Sequence, residues 1–425
     1  MSNDNRHHKA EGSPSLLPVD DALKRILEDV RPLDAEEVPL AAATGRILAE
    51  PLAASRDMPP FDASSMDGYA VRAKDVRQVP VELRVIAEAA AGHGVDVEVG
   101  AGEAVRIFTG SPLPKGADCI IIQENTEREG DVVRVLQPGV RGRFIRERGM
   151  DYRAGETLLQ PGTKLGARQI NLAASLNFPV LPVRRKPRIA ILATGDELVL
   201  PGQEPGPDQI IASNSFGLAA FIEQHGGEPV DLGLQPDDVN AIAEAIERGA
   251  EADVLISIGG ASVGDYDFVG TAFDKLGIAR DFWRIAMRPG KPLMFARRGK
   301  QRILGLPGNP VSALVCSFVF LRPLMAALLG TDMPLPRQMA VLGADLPEND
   351  LRQDYLRVRL QWPQEGTEQA DAPDVRRLLP VALPFSRQDS AMLRRLVEAD
   401  ALLVRPPFAP PLAKGTLVEV LRIDF

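Results

Sequence analysis

The sequence predicts a multidomain α/β and β protein: a central doubly wound α/β domain, a β-rich segment before it and a small β domain after it. Three observations carry this reading. The chain has 425 residues, enough for about two to four domains with real cores. Between 188 and 330, short apolar runs alternate with helical stretches, the rhythm of a mostly parallel sheet. From 56 to about 160, and again beyond 330, runs of β-formers are short and separated by Gly, Pro and Asp.

The elements follow in order. Residues 1–14 are polar, include His7-His8-Lys9 and lack the apolar core of a secretory leader; a disordered tail is expected, and two adjacent histidines are too few for a metal site. Residues 19–30 have helical amphipathic spacing, with Asp20 or Asp21 suited to the start. Strands are expected at 81–87, 104–109, 119–123 and 132–136, a helix at 167–176, then a basic linker, Arg184-Arg185-Lys186-Pro187. The alternating segment gives strands at 189–193, 229–233 and 254–258, with helices at 214–225, 238–248 and 268–276. Strands at 283–287, 293–296 and 302–306 and a helix after Pro310 complete it. The apolar run 311–329 is interrupted by Arg322-Pro323 and follows an N-cap, which marks a buried helix and not a membrane span. Changes of texture set boundaries near 55, 155, 187 and 331.

Hydrophobic residues make up 45% of the chain, charged residues 25%, and the net charge is −9. That balance describes an ordinary soluble protein and argues against general nucleic-acid or anionic-membrane binding. Cys119 and Cys316, the two cysteines, sit in apolar surroundings without metal-ligand spacing, as reduced core residues of a cytoplasmic protein do.

Open α/β sheets bind ligands beyond the carboxyl ends of their strands. There the sequence carries Thr194-Gly195-Asp196-Glu197-Leu198, Asp237-Asp238, and Gly259-Gly260-Ala261-Ser262-Val263-Gly264-Asp265-Tyr266-Asp267. Three successive loops thus bring carboxylates to one edge, a donor set suited to Mg²⁺ beside a phosphate. The competing reading makes Asp237 and Asp267 helix caps. Further on, Met287-Arg288-Pro289-Gly290-Lys291-Pro292 places two cations around a tight turn. Gly305-Leu306-Pro307-Gly308-Asn309-Pro310 then opens a helix, with Asn309 at the N-cap and Pro310 first inside. Free N–H groups at that helix start, with Arg288 and Lys291, suit a small multiply charged oxyanion. The glycine spacing matches neither a dinucleotide fingerprint nor a Walker loop. None of the four histidines lies in these loops, so metal and electrostatic catalysis fits better than imidazole chemistry.

These motifs, with Pro60-Phe61-Asp62-Ala63-Ser64-Ser65-Met66-Asp67-Gly68-Tyr69-Ala70 and Arg106-Ile107-Phe108-Thr109-Gly110, resemble molybdopterin molybdenumtransferase, whose eukaryotic relatives include the gephyrin C-terminal domain. The resemblance covers the chain from about Leu16 to Phe425. It implies an elongated domain I (15–54 plus 155–186), an inserted β-rich domain II (55–154), an α/β domain III resembling molybdopterin adenylyltransferase (187–331) and a C-terminal β-barrel (332–425). It also implies a homodimer with a site shared between subunits, adenylylated molybdopterin and molybdate as substrates, molybdenum cofactor and AMP as products, Mg²⁺ as the required ion, and the adenylyltransferase as a further partner.

By motif position, the resemblance assigns Glu197, Asp237 and Asp267 to the adenylate and metal, with Glu197 and Asp267 as metal ligands. Asp67, Thr109 and Asp151 correspond to functional positions that reach a partner's cleft. Arg288, Lys291, Arg357 and Ser390 correspond to positions that hold molybdate. Ser213, Asn214, Gly259, Gly260, Ser262, Pro307, Asn309 and Pro310 complete the substrate set. Three departures stand out. Asp-Ser-Asn is replaced by Ala212-Ser213-Asn214, Lys-Pro-Gly-Lys begins with Arg288, and Gly-Ser becomes Asp389-Ser390. Two other readings compete, the preceding adenylyl transfer and a scaffold. The loop after the third strand departs from the adenylyltransferase Gly-Gly-Thr-Gly pattern, and the carboxylate and cation set argues against pure scaffolding.

Overall fold

The computed structural model describes residues 16–259, 267–363, 378–423 and 425; the expected tail lies outside them. The chain forms two compact units. One comprises residues up to Glu37, Gly45–Ala49 and Pro182–Phe425; the other comprises Val38–Thr44 and Glu50–Leu181. The first described helix, α1 (Val19–Leu27), belongs to the larger unit and ends earlier than its periodicity predicts.

In the smaller unit, strands β1 (Gly68–Val71), β2 (Val81–Ala89), β3 (Glu103–Ile107), β4 (Cys119–Ile122), β5 (Thr126–Glu129) and β6 (Val132–Val135) form a mixed sheet in the order β4-β1-β3-β2-β6-β5. Strand alternation gives it two apolar faces. Tyr69 and Val71 pack with Leu83 and Val133, while Ala70 packs with Val105, Ile107 and Ile120. Gly68 is required where β1 meets β4, because a Cβ there would collide with the Ile121 carbonyl. Helix α2 (Ala167–Ser175) lies in the same unit.

The larger unit begins its sheet with β7 (Arg188–Thr194), α3 (Asn214–Gln224), β8 (Glu228–Gln235), α4 (Val239–Arg248), β9 (Val254–Ile258) and α5 (Phe268–Lys275). There follow β10 (Arg280–Trp283), β11 (Met287–Arg288), β12 (Met294–Arg298), β13 (Gln301–Leu306) and the long helix α6 (Pro310–Leu329). The order is β8-β7-β9-β13-β12-β10, parallel across the first four strands and antiparallel across the last two. Ile189 and Ile191 face α3 and α6, whereas Ala190 and Leu192 face α4 and α5. The sheet is therefore doubly wound, and its inner strands read as nearly continuous apolar runs because both faces are covered. Arg322-Pro323 does not break α6. A wider turn at Ser317–Leu321 precedes Pro323 and absorbs the bond its ring cannot make.

The C-terminal strands are β14 (Arg337–Leu342), β15 (Gln353–Gln361), β16 (Val381–Pro384), β17 (Ala401–Arg405) and β18 (Leu417–Arg422), with the short helix α7 (Leu393–Val397) between β16 and β17. Strand β15 pairs with both β16 and β17, which closes the ring β15-β16-β14-β18-β17 into a barrel around Leu342, Val358, Ala382, Leu403 and Val420.

Two expectations change. The basic linker is not a free tether: Arg185 grips Asp253 through bonds of 2.7 and 2.6 Å, and Arg184 donates to the Leu33 carbonyl at 2.8 Å. The strand expected at 283–287 is split. Strand β10 ends at Trp283 in the α/β sheet, Arg284 turns the backbone at φ 80°, and β11 joins the barrel beside β15.

Candidate active site

The carboxyl ends of β7, β9 and β13 open onto a cleft of about 820 Å³ lined by Thr194, Glu197, Ser213, Asn214, Gly259, Arg284, Lys291, Pro307, Asn309 and Pro310. This is the edge where an open α/β sheet binds ligand. Gly259 has φ 88°, and a Cβ there would lie 2.8 Å from the Thr194 carbonyl, so the two strand ends approach as only glycine allows. Asn214 Nδ2 donates to the Gly308 carbonyl at 2.6 Å, fixing the start of α3 against the turn before α6. Gly260 and Ser262 lie outside the described residues.

The start of α6 departs from expectation. Asn309 occupies the N-cap position without a side-chain cap bond. Its Nδ2 donates instead to Ser390 Oγ at 2.9 Å, and the Val311 amide donates to the Ser390 carbonyl at 3.1 Å. The barrel loop thus takes one of the N–H groups expected to be free for a ligand.

The carboxylates divide. Glu197 lines the cleft. Asp196 Oδ1 accepts the Asp237 amide at 3.1 Å. Burial, with the charges of Asp196 and Glu197, pushes the Asp237 carboxyl above the usual aspartate range. Asp237 does not cap α4; its neighbour Asp238 does, accepting from the Asn240 and Ala241 amides at 3.0 and 2.9 Å.

Asp267 takes the competing role of a helix cap. Its Oδ1 accepts the Gly270 amide at 2.8 Å as the N-cap of α5, and its Oδ2 pairs with Arg280 at 2.9 Å. Both oxygens expected to face a metal are engaged within the fold. Among the described residues, no group of three or more His, Cys, Asp and Glu is arranged to hold a metal ion.

A second cleft of about 370 Å³ adjoins the first and shares Lys291, Pro307 and Asn309 with it. It also contains Arg288, Arg352, Asp389 and Ser390. Lys291 is exposed, and its ammonium has no hydrogen bond or ion pair among the described residues. Asp389 turns its carboxylate to the Ala391 amide at 2.8 Å. Arg288 is not free: its guanidinium contacts Asp354, Asp350 at 3.1 Å and Asn349 at 3.2 Å.

Arg357 is a further correction. It is 1% exposed, lines neither cleft, and donates through Nε to Gln388 Oε1 at 3.2 Å and through Nη1 to the Met392 carbonyl at 3.4 Å. It supports the turn carrying Ser390 from behind.

In the smaller unit, the start of β1 and the end of β3 bring Asp67 and Thr109 together. Asp67 Oδ1 accepts both the Thr109 amide and its hydroxyl at 2.8 Å, which holds the exposed carboxyl below its usual range. Arg106 lies over the Tyr69 and Phe108 rings and donates to the Gly68 carbonyl at 3.1 Å. No hydrogen bond joins Asp151 to either residue. It follows Met150, which is exposed.

Sequence reasoning missed two cleft residues. Thr194 is 2% exposed and its hydroxyl has no partner among the described residues; a hydroxyl at the end of an apolar strand gave no signal beyond its place in the motif. Arg284 stacks on Trp283 at 4.8 Å. Its cleft position follows from the left-handed backbone turn, which nothing in its side chain predicts.

Three family matches run along the chain. Residues 17–177 match the MoeA N-terminal region (domains I and II), 190–327 the family described as "Probable molybdopterin binding domain", and 339–423 the MoeA C-terminal region (domain IV). A molybdopterin molybdenumtransferase of Nostoc sp. is 43% identical over 305 residues, 70% of each chain. Molybdopterin molybdenumtransferase 2 of Mycobacterium tuberculosis is 36% identical over 90% of this chain and 94% of its own. The crystal structure of the molybdopterin biosynthesis moeA protein from Pyrococcus horikoshii superposes with a TM-score of 0.81 at 31% identity, covering 96% of this chain and all of that one. With this sheet, this closed barrel and a strand-end cleft of this composition, the chain belongs to the molybdopterin molybdenumtransferase family.

Proposed function

We propose that the protein inserts molybdenum from molybdate into adenylylated molybdopterin with release of AMP, the last step of molybdenum cofactor biosynthesis. The observation that carries this reading is the pair of adjoining clefts joined at Lys291. The larger, with carboxylates at one edge and Gly259 beneath it, suits a bulky phosphate-bearing substrate; the smaller, rich in cations, suits a compact oxyanion. Ser213, Asn214, Pro307 and Pro310 shape the larger cleft, and Gly260 and Ser262 are assigned to the phosphate by motif position alone. Lys291 donates charge-assisted hydrogen bonds to molybdate, with Ser390 and Asn309 beside it. Arg357 acts through the Ser390 turn.

Mg²⁺ takes oxygen ligands, keeps several waters and needs only one or two carboxylates. Glu197 and Asp237 fit that demand: burial and the charges of Asp196 and Glu197 raise Asp237, and a divalent cation offsets the charge repulsion. Asp267 is the poorer candidate, because each of its oxygens already has a partner within the fold. When bound, the ion supplies charge neutralisation at the phosphate.

The reading extends to a cytoplasmic homodimer in which Asp67, Thr109 and Asp151 serve a partner's cleft, with the adenylyltransferase as donor of the substrate. Buried free cysteines accord with a reducing compartment. Phe61, Met66 and Met150, exposed beside the smaller unit's functional positions, accord with self-association.

The test is to incubate purified protein with adenylylated molybdopterin, molybdate and Mg²⁺ and follow AMP release and cofactor formation. Lys291→Ala is expected to raise the KM for molybdate roughly ten- to hundredfold, the loss of one charge-assisted contact, with little effect on the adenylylated substrate. No AMP release by the wild type sinks the function. A variant that loses the adenylylated substrate and keeps molybdate reverses the two subsites.

A further inference from the structure

The smaller cleft contains three cations, yet two of them are already committed to carboxylates. Arg352 donates to Asp350 at 2.8 Å. Arg288 reaches Asp350 through Nη1 at 3.1 Å, and Asn349 at 3.2 Å and Asp354 through Nη2. Backbone register enforces the last contact, since β11 runs parallel to β15 with Arg288 opposite Asp354.

The two carboxylates differ in kind. Asp350 is half-buried, and the bonds from Arg352, aided by the Arg288 charge, draw its carboxyl down to about 2. Asp354 is 3% exposed, and its Oδ1 has no hydrogen-bond partner among the described residues. Burial pushes its carboxyl up while Arg288 opposes that shift. A buried carboxylate with one oxygen unsatisfied is costly, and its remaining partner is held correspondingly firmly. The guanidinium presents its N–H donors in a rigid planar fork, so one side chain reaches Asp350, Asn349 and Asp354 together.

We propose that Asp350 and Asp354 form a counter-anion clamp on Arg288 that sets the affinity of the oxyanion cleft. An incoming anion gains the guanidinium only in competition with two carboxylates. The clamp therefore weakens the hold on molybdate and discriminates against singly charged anions. The inference rests on the reading of this cleft as the molybdate site.

The experiment is titration calorimetry with molybdate on the full-length protein. Asp350→Asn, at a partly exposed position, is expected to bind about two- to fivefold more tightly than wild type, the release of one partly exposed ion pair. Asp354→Asn is expected to move in the same direction, with circular dichroism to establish that it folds. In an Arg288→Ala background the gain from Asp350→Asn is expected to vanish, which mere removal of a nearby negative charge would not produce. If Asp350→Asn leaves affinity unchanged or weaker while Lys291→Ala weakens it, the clamp is overturned and the site stands. If Lys291→Ala leaves molybdate binding untouched, the site assignment fails and the clamp with it.

Discussion

Asp237 and Asp267 follow strands of the same sheet and would be exchangeable in a motif, but their surroundings give them different tasks. Asp267 is satisfied twice within the fold. Asp237 is pushed toward its neutral form by burial and by two like charges. A carboxyl raised in the folded state contributes stability that is full below its unfolded pKa, near 3.8, and lost as pH rises through the folded value. At neutral pH the charged Asp237 therefore works against the fold. Asp237→Asn is expected to raise Tm at pH 7, with the gap closing as pH falls toward the ordinary aspartate range. Thermal melts across roughly pH 4 to 8 test this, and a lower neutral-pH Tm in the variant would show that the crowding is relieved in some other way. Glu197 and Lys291 were identifiable from sequence because glycine and proline turns at strand ends mark them. The engagement of Arg288 was not, because its buried partner Asp354 lies 66 residues away in a strand of another sheet.

Among the elements, the inner strands were the most legible. Val254–Ile258 is buried at every position, so its apolar run and its boundaries coincide. Edges were less legible, because period and propensity say nothing about which sheet a strand joins. The run 283–287 reads as one strand but its two ends serve two sheets, and that switch brings Arg284 and Arg288 to separate clefts. Helix starts were misread where a cap and a ligand contact use the same residue types. Aspartate before α5 is a cap, and its removal is accordingly expected to damage the element before the chemistry. Asp267→Ala should cost about 1 kcal/mol for the cap, plus whatever the Arg280 pair contributes, read as a lowered urea midpoint with unchanged slope. An unaltered midpoint with abolished Mg²⁺-dependent turnover would return Asp267 to the metal.

For the whole molecule, the open question is where Asp67 and Thr109 act. They belong to the smaller compact unit, whereas both clefts belong to the larger one. Their mutual hydrogen bonds and depressed carboxyl describe a pair kept charged and oriented at an exposed edge. In a symmetric dimer each subunit can lend this pair to the other's cleft, so one assembly contains two equivalent composite sites. Complementation separates this from a site complete within one subunit. Asp67→Asn protein and Glu197→Gln protein are each expected to be nearly inactive. Glu197 is the better second variant than Asp267, since it lines the cleft without capping a helix. After subunit exchange, a mixed dimer has one composite site carrying both substitutions and one carrying neither. Random exchange makes about half the dimers mixed, each with one working site of two, so activity should recover to about a quarter of wild type. Were every site built from a single subunit, each would retain a defect and mixing would restore nothing. That outcome would confine Asp67 and Thr109 to stabilising their own unit.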